Sequence, residues 1–441
     1  MALDREELNK RRRAREAQRR KQQQAQRRML IRLAAAVVIL AVSGAAIYFI
    51  SRDQKPAGES QPTSPTAEVQ STDAPEATAG TVPPTEERAS WEKEDAVIHI
   101  VAAGDLNVTD KTVWSGADGE EYDYTKAFLD VAPVFSEADL ALLNFEGTVS
   151  GIPYGSAAAS APAEMVEALK NAGVDLVQVA NSCSVNSGIS GLATTLANIR
   201  AAGIEPVGAF SNTEEFRRSK GYTICNVGDV KIAVVAFTKG MGGRGLPAGS
   251  EDCVNLLYTD YAETYSKVDT DGIKSVLKAV ESESPDLTIA MLHWGSEFNE
   301  IISKTQESIA ELMLSQGVDV ILGTHSHMLH KITYDDATGQ LVAYSLGDFF
   351  GDGERSGTQY SIILDLEITK DYDAGVTRVT DFSYTPIYTL SETDSTGGRR
   401  VVRMENAMSA YEMNYIDKVT ESCYQDMEYA LQRIKARIKG E

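Results

Sequence analysis

Apolar positions along the chain follow three different regimes. Residues 33–50 read LAAAVVILAVSGAAIYFI, a run of 18 residues without a charge. Coiled as a helix it would extend about 27 Å, close to the hydrocarbon thickness of a bilayer, so a transmembrane helix is expected there. Residues 51–94 show no apolar period. Stretches such as QPTSPTAEVQSTDAPEATAGTVPPTEE cannot bury enough apolar surface to offset chain entropy, and a disordered linker with a reach on the order of 100 Å is expected. From residue 97 the runs IHIVAAG, LALLNFEG, VDLVQVAN, VKIAVVAFT, LTIAMLHWG, VDVILGTHSH and LVAYSLGDFF alternate with helical spacing at 163–172, 191–202 and 306–316. That alternation predicts an α/β fold with buried sheets. The last pattern, over residues 405–439, places Tyr415, Val419, Cys423, Met427, Ala430, Ile434 and Ile438 three or four apart. It predicts one amphipathic helix packed on the domain.

The expected organisation is therefore a basic segment (1–32), a transmembrane helix (33–50), a linker (51–94), an α/β domain (95–390) and a C-terminal extension (391–441).

Charge adds orientation. The first 52 residues carry 13 Lys and Arg against 4 Asp and Glu, a balance of +9, while the whole chain is −22, which leaves −31 for the rest. The basic front places residues 1–32 in the cytoplasm and residues 53–441 outside the cell membrane, in a single pass. Ser43-Gly44-Ala45 is a weak small-residue cleavage site, but the long basic front and long apolar run favour an anchor that is retained. A body of −31 repels nucleic acid, so no nucleic-acid partner is expected. Cys183, Cys225, Cys253 and Cys423 form no Cys-x-x-Cys pair, which argues against a zinc ribbon or a redox motif.

Candidate chemistry gathers at strand ends. Of five histidines, His293 ends one apolar run, and His325 and His327 follow another as His-x-His. Imidazole is a common transition-metal ligand, and two rings two residues apart on a turn can reach one centre. Asp105 and Glu146, at the ends of earlier strands, would complete an oxygen and nitrogen shell suited to Mn, Fe or Zn.

In order along the chain, GDLN (104–107), NFEG (144–147), AN (180–181), HWGSEF (293–298), GTHSH (323–327) and SLGDF (345–349) resemble the successive motifs of the CapA family, named for poly-γ-glutamate capsule synthesis. The resemblance implies a four-layer α/β/β/α sandwich of the metallophosphatase-like (calcineurin-like) kind. It implies that Asp105 and His327 hold one divalent metal with Asn107 at or near its shell, and that Glu146 bridges to a second held by His293 and His325. Behind these ligands it places Asn181, Ser182, Trp294, Glu297 and Asp348.

Departures from the family pattern bear on activity. Where members carry Ala-Asn-Asn-His followed by Asp and Gly, this chain has Ala180-Asn181-Ser182-Cys183, and Asn186 stands for the Asp. Asp348 replaces the Asn of SLGNF-type members. A hydroxyl is a poor ligand and a thiol a weak proton donor. Hence no residue is assigned as catalytic, Cys183 stands in the place of the His, and one ion or two remain open. Two functions follow from the resemblance. One is a membrane-anchored extracellular protein of capsule or envelope-polymer synthesis with metal-dependent hydrolase activity. The other is an inactive member that binds or assembles an anionic envelope polymer, or its synthesis machinery.

Overall fold

A computed structural model describes residues 94–416 and 418–440. The expected basic segment, transmembrane helix and linker, save the last residue of the linker, lie outside the described residues. No helix among the described residues is long and apolar enough to cross a membrane.

Sixteen strands organise these residues. They are β1 (Ala96–Asn107), β2 (Ala117–Asp118), β3 (Glu121–Tyr122), β4 (Leu140–Glu146), β5 (Leu176–Gln178), β6 (Glu205–Val207), β7 (Tyr222–Val227) and β8 (Val230–Thr238), followed by β9 (Leu287–His293), β10 (Val320–Thr324), β11 (Ile332–Asp335), β12 (Gln340–Ala343), β13 (Asp348–Phe350), β14 (Tyr360–Asp371), β15 (Val376–Leu390) and β16 (Arg400–Arg403). One sheet runs β16-β15-β14-β1-β4-β5-β6 with β13 also on β1, and a second runs β11-β12-β10-β9-β8-β7. Helices α1 (Ala163–Ala172), α2 (Gly188–Ala201), α3 (Thr270–Glu281) and α4 (Lys304–Ser315) connect the parallel strands, as crossovers between parallel neighbours require.

Two-residue periodicity sorts the side chains of the second sheet. Ile232, Val234 and Ala236 of β8, Ile289 and Met291 of β9, and Val320 and Leu322 of β10 join one core with Ile100, Leu142 and Val177 of the first sheet. Their neighbours Ala233, Val235, Phe237, Leu292 and Ile321 pack instead with Ile273 and Leu277 of α3 and Ile309 and Met313 of α4. Helices α1 and α2 bury Met165, Leu169, Leu192 and Leu196 in the first core. The result is helix, sheet, sheet, helix, the layering the resemblance implies. Both faces of each central strand are apolar, so these strands read as continuous apolar runs.

Two sequence expectations need correction. LVAYSLGDFF is not one strand: β12 pairs with β10 in the second sheet, while β13 pairs with β1 in the first. The chain changes sheets between them, at Gly347 with φ +71°, a conformation that favours glycine. The C-terminal pattern is not one helix either, because α5 (Met404–Glu412) and α6 (Glu421–Lys439) are separate. Asn414 adopts φ +57°, and the Thr420 side chain caps α6 by accepting from the Cys423 amide. Tyr415 is consequently exposed. The first sheet also extends past residue 390 through β16, and the long antiparallel hairpin of β14 and β15 is absent from the apolar runs named above. All four cysteines are free thiols.

Candidate metal centre

The parallel register of β1 and β4 sets Asp105 opposite Asn144 and Asn107 opposite Glu146. On the other side of β1, Asp105 pairs with Asp348 of β13. That pairing needs glycine at 104. A Cβ there would lie 1.8 Å from the Gly347 carbonyl oxygen, the same oxygen that accepts from the Asp105 amide at 2.8 Å. In the second sheet, His293 ends β9 beside Thr324, the last residue of β10. The chain then turns through His325 at φ +86° and His327 at φ +59°. Left-handed backbone at such residues costs of the order of 1–3 kcal/mol each and persists where the surroundings over-determine it. The Asp105 Oδ2 atom supplies part of that hold by accepting from the His325 amide at 3.0 Å.

Strand ends from both sheets therefore meet at one place. Glu146, His293 and His325 form one group whose ligand atoms all lie within 4.8 Å of one another, and Asp105, Glu146 and His327 form a second. Glu146 belongs to both. Its Oε1 is 3.4 Å from His293 Nε2 and its Oε2 is 3.9 Å from His327 Nε2, spacing that suits atoms converging on a shared ion better than hydrogen bonds between them. All five residues are buried. Two of their atoms, Glu146 Oε2 and His325 Nδ1, have no hydrogen-bond partner among the described residues, although unsatisfied buried polar atoms are costly. The donors fit a divalent metal.

The remaining candidates have distinct places. Asp348 Oδ1 lies 2.8 Å from His327 Nδ1 and accepts from Asn107 Nδ2 at 2.8 Å. It thus orients the imidazole from behind, as carboxylates commonly do for metal-binding histidines. Asn107 faces Asp348, and its Nδ2 also lies 3.3 Å from His327 Nδ1. Asn181 Nδ2 donates to Asn144 Oδ1 and to the Phe145 carbonyl, and its Oδ1 accepts from the Cys183 amide. Trp294 is fully buried and donates to the Tyr344 carbonyl at 2.9 Å, so it packs the fold. Glu297 is exposed and lines the cleft. The sequence reading missed Asn144, whose Nδ2 donates to Asp105 Oδ1 at 2.5 Å, and Thr324, whose Oγ1 lies 3.2 Å from His293 Nδ1. Both stand inside quoted motifs, but only the fold shows which way they point.

The altered segment lies at the centre. Ser182 Oγ donates to Glu146 Oε1 and is 3.4 Å from His293 Nε2. Cys183 is half-buried, lines the same cleft of about 320 Å³ and joins neither ligand group. Burial, followed by the negative charge of Glu146, pushes its thiol well above the ordinary cysteine value. At neutral pH it is a protonated thiol, a weak ligand and a weak nucleophile.

Buried charges set the remaining acid-base behaviour. Burial and then the Glu146 charge raise Asp105 to about 7. Burial alone would raise Glu146 as well, but its interaction with His293, followed by His327 and His325, outweighs it and takes the carboxyl below its usual range. Burial lowers His325, helped by His293. Against burial, Asp348 by charge and hydrogen bond, then Glu146 and Asp105, raise His327. A raised folded-state pKa gives stability that is complete below the unfolded value and is lost as pH climbs through the folded one. For Asp105 that window runs from its ordinary value of 3.8 to about 7, and His327 acts in the same sense from 6.5 upward. His325 and Glu146, both lowered, act in the opposite sense only below their ordinary values. The metal-free chain should therefore lose thermal stability as pH rises above 6.5, through Asp105 up to about 7 and through His327 beyond. A divalent ion replaces the proton, so the gain in Tm on adding Mn²⁺ should widen between about pH 6 and pH 8. Calorimetric scans with and without Mn²⁺ check this, and a constant gap would count against it.

Buried carboxylates and imidazoles around one shared glutamate, at the strand ends of two stacked sheets, define an α/β/β/α protein with a metal-type centre. A family profile described as bacterial capsule synthesis protein PGA_cap matches residues 99–352, and the chain belongs to that family. The capsule biosynthesis protein CapA of Bacillus anthracis is 27% identical over 211 residues, which cover 47% of this chain and 48% of the relative. The PGA biosynthesis protein CapA of Bacillus subtilis is 26% identical over 268 residues, 59% of this chain and 64% of the relative. The chain thus spans about half to just under two thirds of the length of these relatives. A calcineurin-like phosphoesterase of Bacillus subtilis overlaps 77% of this chain and all of its own, with 15% identity and a TM-score of 0.43.

Proposed function

We propose that this chain is a membrane-anchored, extracellular protein of capsule or envelope-polymer synthesis, and that its cleft is a divalent-metal hydrolase site of low turnover. The observation that carries the hydrolase reading is the sharing of Glu146 between two ligand groups. When bound there, a pair of divalent ions would polarise a phosphoryl or acyl oxygen and steady the charge that develops on it. The protein's own part is positional. Asp105 and Glu146 supply negative charge, His293, His325 and His327 supply nitrogen, and Asp348 and Thr324 fix two of the rings. Which of Mn, Fe or Zn is held is set by supply as much as by such a donor set.

The names of the Bacillus relatives support a role with an anionic polymer such as poly-γ-glutamate. The uncharged run at 33–50 behind a basic front supports the anchor. One observation favours a second reading, a binding or assembly component without turnover: the cleft holds Ser182 and a protonated Cys183 in place of a ligand and a proton donor.

The test uses purified full-length chain loaded with Mn²⁺, Fe²⁺ or Zn²⁺ in turn. Two bound ions by elemental analysis with slow release of p-nitrophenol from its phosphate ester is the expected result. Bound ions without turnover would favour the assembly role, and no ions would sink the metal reading. Protease added to wall-stripped cells should remove residues beyond the anchor. Survival of the domain, or a mature chain starting near Ala46, would defeat the anchored topology.

A further inference from the structure

The cleft is rich in negative charge, with Glu146, Glu297, Asp348 and Asp352 among its lining residues, on a body of −31. Besides metal ions at the centre, fixed positive charge near the cleft would help an anionic substrate approach so acidic a body. A cation stands against one of the lining residues, Phe298. The Phe298 ring stacks on His327 with centroids 5.1 Å apart and planes at 28°. Over that ring lies the Arg355 guanidinium, its carbon 4.2 Å from the centroid.

The support is built rather than incidental. Phe298 is 38% exposed, a poor place for a phenyl ring on burial grounds alone, and it sits at φ +55°, where a bulky residue is strained. Its amide donates to the Ser326 carbonyl at 2.8 Å, which ties it to the turn that carries His325 and His327. The acidic neighbours of Arg355 are engaged elsewhere. Glu354 pairs with Lys111 at 3.1 Å, and the Asp352 carboxylate accepts from the Glu354 amide at 2.9 Å. No carboxylate among the described residues pairs with Arg355. It is a planar, permanently charged fork, held on a ring that stacks on a metal-ligand candidate, and it has no carboxylate partner among the described residues.

We propose that Arg355, held on Phe298 above His327, recognises an oxyanion of the substrate and positions it over the centre. This rests on the reading of the cleft as a substrate site. The chemistry it selects is a pair of coplanar oxygens, which both a carboxylate and a phosphoryl group present and which an arginine fork meets with two parallel hydrogen bonds. Stacking on Phe298 keeps the guanidinium plane fixed, so less freedom is lost when the anion binds.

The experiment titrates Mn²⁺-loaded full-length chain with inorganic phosphate and, separately, with γ-glutamyl-glutamate, by calorimetry. Whichever wild-type chain binds more tightly identifies the oxyanion. Arg355→Ala should weaken that binding at least about 10-fold, the loss of one charge-assisted bidentate contact. Arg355→Lys should recover only part of it, since an ammonium keeps the charge but not the fork, and Phe298→Leu should weaken it several-fold by removing the aromatic platform. All three should retain wild-type metal content, which shows that the centre is intact. Equal affinity in wild type and Arg355→Ala, or binding of neither anion by the wild type, overturns the proposal. Metal content answers separately for the hydrolase reading. A metal-free wild type that still bound an anion through Arg355 would keep this subsite while that reading fell.

Discussion

Glu146→Ala should empty the whole centre, whereas His325→Ala should empty half of it. Glu146 belongs to both groups of converging ligand atoms, and His325 to one. Deleting the shared carboxylate removes one donor and one negative charge from each ion at once. Changes to groups that merely orient ligands already cost about 10–100-fold in metal affinity, so loss of a bridging ligand should lower affinity for both ions by at least about 100-fold. Any turnover should disappear with them. Removal of Glu146 also strips His293 and His327 of a partner that lies 3.4 Å from one and 3.9 Å from the other. Elemental analysis after Mn²⁺ loading is the measurement, with near-zero occupancy expected for Glu146→Ala and one ion for His325→Ala. Full occupancy in Glu146→Ala would mean that the two groups are not a shared centre.

The double change Ser182→Asn with Cys183→His should raise hydrolysis by roughly 10²–10⁴-fold, the usual worth of a positioned general acid. Position 182 already reaches the ligand atoms, since its hydroxyl donates to Glu146 Oε1 and lies 3.4 Å from His293 Nε2. An asparagine there would present a carbonyl oxygen in the same gap. Position 183 lines the cleft, and an imidazole would titrate near neutrality where the raised thiol does not. Release of p-nitrophenol by Mn²⁺-loaded protein, with metal content determined alongside, decides the matter. If turnover does not rise while metal content holds, the loop has drifted too far to rebuild the site, and the assembly role becomes the better account. High wild-type activity abolished by Cys183→Ser would show the reverse, a thiol that has taken over the work.

Much of this was legible in the residue order, and the reason is local. Buried parallel strands need unbroken apolar runs, so most of the central strands and the helices between them could be read from spacing that a single element determines. The five ligand candidates were legible because a strand's last residues stand out as polar against such a run, and because their motifs follow one another in a family's order. What the sequence could not contain was the pairing of one strand with another. Only the register of β1 against β13 brings Asp348 to Asp105, and only a change of sheet at Gly347 makes that register attainable. Asn144 and Thr324 became second-layer partners, and Phe298 a platform for Arg355, through contacts between segments far apart in the chain. The C-terminal pattern misled for the same reason. Helical spacing continues across residues 413–420, but Asn414 in the left-handed region and the Thr420 cap break the helix in two. Periodicity reports which side chains want burial; the tertiary structure decides what they are buried against.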